Sequence, residues 1–292
     1  MASRTILVCL LAAAGVACSR SPIDDGRVDS GPPYSGYPRV SAGAGKSCLL
    51  DAAGHLSCWG NIMPISDIIP DKVFADVDVS TSACGLERDG TLTCWPKEEL
   101  MGVGAFPAGR YSRVSVWGGN ACAVRLDGAL ACWGEPSYGM TDPPQGKFRE
   151  VALSGTHACA IRRDGTLACW GLNGDGQATP PPGAFVSVAS GTQHSCARNV
   201  DDVVACWGAP DTFGHLHNQI AQEVHCGDTS TCVIHRDGTL ECTGRYPQLR
   251  QPPSGRFVQM DIGLDHACAV RADGSVACWG GNLHGQSTPP AR

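Results

Sequence analysis

Seventeen of the 292 residues are cysteine, and their spacing decides which chemistry they can do. Fourteen fall into pairs ten residues apart: Cys48/Cys58, Cys84/Cys94, Cys122/Cys132, Cys159/Cys169, Cys196/Cys206, Cys232/Cys242 and Cys268/Cys278. In a reducing compartment such a supply suggests metal or redox chemistry; in an oxidising one it suggests disulfides. No CxxC knuckle is present, so no pair has the usual spacing of a zinc site. Cys226 stands outside the pairs and aligns with Ser190 of the preceding unit; it reads as a small buried side chain. Among the histidines, His215 and His217 form an HxH. On a strand both would point the same way and could hold a metal, but no third ligand accompanies them. His157, His194 and His266 each precede a cysteine by two residues; their repetition marks them as framework, hydrogen-bonding the next turn. No Ser-His-Asp order, phosphate loop or repeated carboxylate pair stands out. No catalytic residue, metal or cofactor is expected.

The paired cysteines belong to a longer repeated phrase. Their first members are 36, 38, 37, 37, 36 and 36 residues apart, a period that marks a repeat architecture. Eleven residues before the first cysteine stands an aromatic in five units (Tyr37, Tyr111, Phe148, Phe185 and Phe257), with Phe74 one residue nearer in its unit and Ala221 in the sixth. A tryptophan follows the second cysteine in six units; Thr243 replaces it in the other. Within a unit, "HACAIRR" and "TLACWG" alternate around Asp-Gly, a strong hairpin signal. If Cys159 faces Cys169, then Ile161 faces Leu167, and Arg163-Asp164-Gly165 is a three-residue loop. Gly165 then occupies the left-handed position. Gly54, Gly90, Gly128, Gly238 and Gly274 repeat that position, and Asp202 replaces it in the fifth unit. Asp89, Asp127, Asp164, Asp237 and Asp273 read as turn residues. Opposed cysteines on antiparallel strands are close enough to bond, and each short crosslink contributes roughly 2–3 kcal/mol.

A third strand, opening on the aromatic, fits in the same 37 residues. Seven such units predict an all-β, seven-bladed β-propeller with about three strands and one hairpin disulfide per blade. The chain ends at "STPPAR", where the next aromatic strand would begin. Tyr37 to Val40 could supply it and close the ring.

Composition sets the compartment and the partner. Charged residues are 17%, with 37 Gly and 20 Pro, favouring short elements and turns. A net charge of −6 with no basic block argues against a nucleic-acid partner. At the N-terminus, Arg4 precedes an uncharged apolar run too short to span a bilayer. Residues 1–17 therefore read as a signal peptide. "AAGVAC" resembles a bacterial lipobox with Gly15 where Leu is commonest, which would make Cys18 the lipidated N-terminus. Residues 18–36 carry that cysteine and a Gly/Pro/Asp-rich tether, and 37–292 form the propeller. The chain is expected to be exported and lipid-anchored in the bacterial cell envelope, at the outer membrane or cell surface. The alternative is a secreted or periplasmic protein.

The phrase resembles the repeat of the regulator-of-chromosome-condensation family. The fourth and seventh units carry the resemblance best, at Asp-Gly, Trp-Gly, Asn173/Gly176/Gln177 and Asn282/Gly285/Gln286. The short period is similar to the bacterial branch that includes β-lactamase inhibitor protein II. The resemblance implies a propeller and leaves function open.

Function should then sit where the units differ, in the connections after Trp-Gly. These offer Ile62, Met63, Met101, Tyr138, Phe213, Tyr246, Leu283 and His284 along one rim, side chains of the kind that anchor interfaces. The expectation is a non-enzymatic module that binds a macromolecule, a protein above others. A glycan-binding envelope module is the first alternative and would need aromatics stacked over shallow pockets. A propeller lyase or glycosidase is the second, and would need two carboxylates about 5–10 Å apart in the central channel.

Overall fold

A computed structural model describes residues 6–12, 15–21, 38–61, 69–95 and 107–290. The chain divides into two compact units, 1–31 and 32–292. In the first, Ile6–Ala12 pairs antiparallel with Gly15–Ser21. The predicted leader falls largely on this unit. The Cys18 side chain and residues 22–37 of the predicted tether lie outside what is described, as does Tyr37.

The second unit contains seven three-stranded antiparallel sheets, each built from consecutive strands. Blade 1 comprises Arg39–Ala42, Lys46–Leu50 and Leu56–Gly60, and blade 2 Phe74–Val79, Ala83–Glu87 and Leu92–Trp95. Blade 3 comprises Tyr111–Trp117, Asn120–Arg125 and Leu130–Trp133, and blade 4 Phe148–Leu153, His157–Arg162 and Leu167–Gly171. Blade 5 comprises Phe185–Ser190, His194–Asn199 and Val204–Gly208, and blade 6 Glu223–Cys226, Ser230–Ile234 and Leu240–Gly244. Blade 7 comprises Phe257–Ile262, His266–Arg271 and Val276–Gly280. The first strands of all seven blades line one central cavity. Each first strand touches those of the blades beside it, blade 7 meeting blade 1. These are the inner strands, and the fold is a closed seven-bladed propeller.

The hairpin register is the one the cysteines require. Cys159 opposes Cys169, and Ile161 opposes Leu167. All seven expected pairs are bonded, one in each blade: Cys48–Cys58, Cys84–Cys94, Cys122–Cys132, Cys159–Cys169, Cys196–Cys206, Cys232–Cys242 and Cys268–Cys278. Their Cα atoms are 4.0–4.1 Å apart. The two ends of each bond differ in environment. The first cysteine lies on the middle strand and is buried in every blade. The second lies on the outer strand: Cys94, Cys206 and Cys242 are buried, whereas Cys58, Cys132, Cys169 and Cys278 are half-buried.

At the turn, Gly165 N–H donates to Arg162 O and Gly165 has φ +90°. Asp164 Oδ1 accepts Thr166 N–H at 2.9 Å, an Asx cap that favours the turn. Asp89, Asp127, Asp237 and Asp273 make the same bond. Blade 1 has Ala53 in place of that aspartate and blade 5 keeps Asp201; in both, a residue at the end of the middle strand, Asp51 or Asn199, accepts the turn N–H groups. Asp202 takes φ +66° in place of glycine and is held by Arg198 and Arg236.

A β-carbon on Gly165 would lie 3.0 Å from that of Ala184, on a backbone that L-residues rarely adopt. Gly165→Ala should therefore cost about 1–2 kcal/mol. Urea melts of the two proteins check this, and an unchanged midpoint would contradict the left-handed turn.

The core is split into layers between blades, because no three-stranded sheet can bury both faces alone. One layer joins Cys48 and Leu50 of blade 1 to Phe74, Val77, Val79, Ala83 and Trp95 of blade 2, with Cys58 packed against it. Another joins Val40, Leu49 and Trp59 to Cys268 and Val270 of blade 7, with Cys278 packed against it. Cys94 and Cys242 are members of the blade 2–3 and blade 6–7 layers, and Cys132 packs against the layer between blades 3 and 4. The leading aromatics Phe74, Tyr111, Phe148, Phe185 and Phe257 are all buried.

Closure needs no shared blade. Arg39–Ala42 pairs with Lys46–Leu50, so this strand begins blade 1. Trp59 Nε1 donates to Gln286 O at 2.8 Å. Trp170 and Trp207 bond Met140 O and Gln177 O, and Trp279 bonds Leu249 O. Each of these tryptophans grips the connection leading into its blade, and the closing seam uses the same grip.

Candidate functional site

The strand path decides which residues share a face. Each inner strand ends at the turn into the middle strand, and each middle strand ends at the hairpin turn. That turn also meets the start of the next inner strand: Phe185 N–H donates to Gly165 O. The outer strand then returns to the first face. The two faces therefore differ in kind. One carries the hairpin turns of all blades, Asp-Gly in most; the other carries the inner–middle turns and the first half of the connections that leave blades 3 to 7.

On this second face the predicted anchors separate. Leu283 is 91% exposed and Tyr138 is 59% exposed. His284 is exposed beside Gly45 of blade 1, where an added β-carbon would meet its ring at 3.2 Å. Tyr138 has φ +56°, a conformation uncommon for a residue other than glycine. Phe213 corrects the expectation. It is 8% exposed, packed in the layer between blades 5 and 6 with its ring 6.2 Å from that of His194. Tyr246 is half-buried against the blade 6–7 layer, its hydroxyl 3.5 Å from Asp228. Ile62, Met63 and Met101 lie outside the described residues.

Acidic residues accompany the exposed anchors, a feature hidden in sequence because they come from different blades. Asp175 accepts from Gln193, and Asp228 accepts from the Thr192 hydroxyl. Asp211 pairs with Arg245 at 2.8 Å. Asp265 lies 3.4 Å from His266, whose hydrogen bond and charge hold its carboxyl below the usual range. Arg245 is held above its ordinary value by Asp211 first, with Asp228 and Asp175 adding to it. Asp211 thus pairs with Arg245 directly while the charges of Asp228 and Asp175 act on it from farther away, and Asp265 of blade 7 stands on the same face.

The central channel is polar. Its wall includes Arg39, Asp76, Asp78, Arg113, Glu150, His225 and Asp261. Asp78 and Asp261 come together, both bonded to the Ser41 hydroxyl at 3.4 and 3.1 Å. Their oxygens are committed to main chain. Asp78 accepts from Val79 and Val116 N–H; Asp261 accepts from Ile262 and Ala42 N–H. Glu150, Ser115 and Gln259 do the same for Val188, Leu153 and Val40. The channel side chains of one blade thus satisfy the free edge of the next blade's inner strand, which would otherwise present unpaired N–H groups. Burial and the Asp261 charge push the Asp78 carboxyl up to about 7. Burial opposes charge on His225, but Asp261 and Glu223 outweigh it and hold its pKa up to about 10.

The repeated histidines reach farther than the next turn. His157 Nε2 meets Ser195 Oγ at 2.7 Å, His194 Nε2 meets Thr231 Oγ1 at 2.8 Å, and His266 Nε2 meets Ser47 Oγ at 2.8 Å. Each partner lies on the middle strand of the following blade, so these rings are clasps between blades. Burial pushes His157 down to about 4 and His194 to about 3. Cys226 is a buried thiol pushed up to about 12 by burial, hence unreactive in the fold. Its sulfur, that of Cys196 and a ring nitrogen of His194 lie within 4.8 Å of one another, but Cys196 is committed to Cys206. His215 and His217, the HxH of the sequence, do not point the same way from a strand. They lie at a short 3₁₀ turn, not on a strand, and His217 Nδ1 accepts Cys206 N–H at 3.0 Å.

Comparison with known proteins agrees with this architecture. The model of the regulator of chromosome condensation (RCC1) repeat matches residues 148–177 and 257–286, in blades 4 and 7. A search of curated proteins finds no sequence match. Among solved structures, the CRINKLY WD40 ectodomain of the Arabidopsis thaliana receptor kinase ACR4 superposes with a TM-score of 0.69 at 21% identity, over 85% of this chain and 95% of that one. The ectodomain of the Physcomitrella patens receptor kinase CR4 gives 0.70 at 22%, over 84% and 73%. Yeast RCC1 (Prp20), in a structure bound to Kap60, gives 0.54 at 15%, over 86% and 72%. Two of its seven hairpin-built blades, the fourth and the seventh, thus match the regulator of chromosome condensation repeat, and the solved structures share the propeller fold.

Proposed function

We propose that this chain is an exported, non-enzymatic propeller that binds a protein through the face bearing the inner–middle turns. The carrying observation is the combination on that face of exposed Leu283 and Tyr138 with Asp175, Asp211, Asp228 and Asp265. Interfaces gain energy from a few desolvated anchors and gain on-rate from complementary charge, so the fitting partner is a protein with a basic surface. Rigid blades hold the loops in place, and little ordering entropy is lost on binding. The fold supports this reading: yeast Prp20 has been solved with a protein bound and is described with binding to Gsp1p and histones. Seven disulfides suit an oxidising compartment. Among the described residues no helix is long and apolar enough to cross a membrane. Attachment through an acylated Cys18 is the route we propose to the envelope.

The other two readings have less support. Tyr138 is the one exposed aromatic among the described residues, so a stacked glycan platform has no second ring there. The channel carboxylates Asp78 and Asp261 are occupied as strand caps, which leaves that pair no free role in acid–base chemistry.

Site-specific photocrosslinking in cells tests the binding face. A crosslinker at Leu283 is expected to trap a protein, the yield falling at high salt, while one at Arg163 on the Asp-Gly face traps none. Equal trapping from both positions, or none from Leu283, would refute it. Intact mass of the exported protein tests the anchor separately: an N-terminus at Cys18 with added acyl mass is expected.

A further inference from the structure

The sequence has no basic block, yet the fold assembles one. On the Asp-Gly face, blades 3 and 4 bring together Arg125, Lys147, Arg149, Arg162 and Arg163 from three separate segments. Arg125 and Arg162 end the middle strands of their blades, and Arg149 lies at the start of the inner strand of blade 4. Arg163 N–H donates to Lys147 O at 3.0 Å. Lys147, Arg149 and Arg163 are exposed, and the other two are half-buried. The two hairpin turns supply only Asp127 and Asp164 against these five cations.

Among the described residues only Lys147 has an ion-pair partner, Asp127 at 3.5 Å. Arg125 Nη1 donates to Ala108 O at 2.8 Å and Arg162 Nη1 to Gln145 O at 3.1 Å. Their guanidiniums lie 5.4 and 4.9 Å from the ring centroids of Tyr111 and Phe148. Arg149 donates to Phe185 O. The Arg163 guanidinium lies beside the Gly128 turn, where an added β-carbon would meet it at 3.0 Å. A carbonyl or a ring face positions a guanidinium without cancelling its charge. Elsewhere on this face the bases are matched: Arg198 and Arg236 share Asp202, and Arg110 pairs with Asp89 at 3.8 Å. The excess positive charge is therefore concentrated on blades 3 and 4.

The chain also enters the propeller on this face. Pro38 lines a groove with Asp51, Ala52 and Ala53 of blade 1 and Asp273, Gly274 and Ser275 of blade 7, all at hairpin turns. The predicted tether joins the ring there, across from blades 3 and 4. The carboxylates Asp175, Asp211, Asp228 and Asp265 stand on the opposite face, where an anionic bilayer would repel them. An acyl chain holds a protein more firmly when a basic patch accompanies it.

We propose that the Asp-Gly face of blades 3 and 4 docks on anionic lipid headgroups, so that the propeller lies on the bilayer with its acidic, Leu283-bearing face outward. The inference rests on the anchoring reading above and adds a second, non-covalent contact to it.

The test is co-sedimentation of the exported protein with vesicles of phosphatidylcholine alone or with about 30% phosphatidylglycerol. The anionic lipid should raise the partition coefficient about tenfold or more, and about 0.5 M salt should remove that gain. Arg163→Glu should reduce the gain roughly fivefold, and Arg149→Glu with Arg163→Glu should abolish it. Arg250→Glu, which changes net charge equally to Arg163→Glu but lies on the opposite face, should leave it unchanged. Lys147→Gln with Arg163→Gln spares the bond to Phe185 and should act in the same direction if the double reversal fails to fold. Equal partition onto both lipids, or a preference that survives both pairs of substitutions, overturns the docking while leaving the anchor standing. Absence of binding to phosphatidylcholine alone, with the anionic preference intact, overturns the acyl anchor instead and keeps the docking surface. Retention by a sulfated polysaccharide without any response to phosphatidylglycerol would assign the patch to a glycan and likewise overturn the proposal.

Discussion

Reduction of the hairpin disulfides is expected to unfold the propeller. Each closes a loop with a sequence separation of 10, for which restriction of the unfolded chain contributes about 3 kcal/mol. Seven such contributions exceed the roughly 5–15 kcal/mol by which a domain is ordinarily stable. The first cysteine of each pair is at most 1% exposed and sits within an inter-blade layer, so its loss also loosens packing. Reductant should enter from the outer strands, where Cys58, Cys132, Cys169 and Cys278 are half-buried, and reach Cys94, Cys206 and Cys242 last. A thermal melt followed by far-UV circular dichroism, with and without reductant, reads the effect. The reduced protein should show no cooperative transition at about 25 °C or above. Removing a single staple by Cys159→Ala with Cys169→Ala should leave a folded ring weakened by about 2–3 kcal/mol. A reduced protein that melts cooperatively near the oxidised midpoint would show that the layers suffice without crosslinks.

Acid should open the ring at the histidine clasps. His157 and His194 are neutral in the fold, with pKa values pushed down to about 4 and 3 by burial. In the unfolded chain an ordinary histidine takes up a proton near pH 6.5. Between those values the unfolded state binds more protons, so stability falls as pH falls. It is fully present above about pH 6.5 and declines until the folded rings protonate. Each ring contributes on the order of 3 kcal/mol over that span. Asp78 acts in the opposite sense. Its folded pKa is raised to about 7, so between pH 7 and about 4 the fold gains relative stability as Asp78 takes up a proton. Asp78 is half-buried, so solvent screening reduces its share. The clasps are isolated by comparing wild type with His157→Asn/His194→Asn in urea melts from about pH 7.5 to 4. The wild type should lose stability more steeply than the variant by several kcal/mol across that range. Parallel curves would mean that the buried rings do not titrate with folding.

Much of the fold can be read from local signals, and the reason is physical. A disulfide joining residues ten apart, with glycine at one loop position, permits a single hairpin register; Cys159 opposing Cys169 and Gly165 at φ +90° follow from that constraint alone. Repetition then multiplies one local inference by seven, so that the bonds to Cys58, Cys94, Cys132, Cys242 and Cys278 all fall where the spacing puts them. Replacement residues are harder to see. Asp51 and Asn199 cap the turns of blades 1 and 5 from a different position, because hydrogen-bond geometry tolerates a shift that sequence alignment does not.

Everything that depends on neighbouring blades is decided by the tertiary structure. Phe213 reads as an anchor, since a large aromatic in a variable connection resembles one; only the adjacent layer shows that it is buried. The channel acids carry no signal in sequence, yet they cap strands one blade away, and His157 finds its partner 38 residues on. Glu241 meets His215 and His235 from 26 and 6 residues away, a juxtaposition that no spacing in the sequence announces. The sequence by itself determined the hairpin, its staple and the number of blades, because these follow from bonds within one repeat. The tertiary structure decided burial, the clasps and the candidate sites, because a blade completes its contacts only when the next blade packs against it.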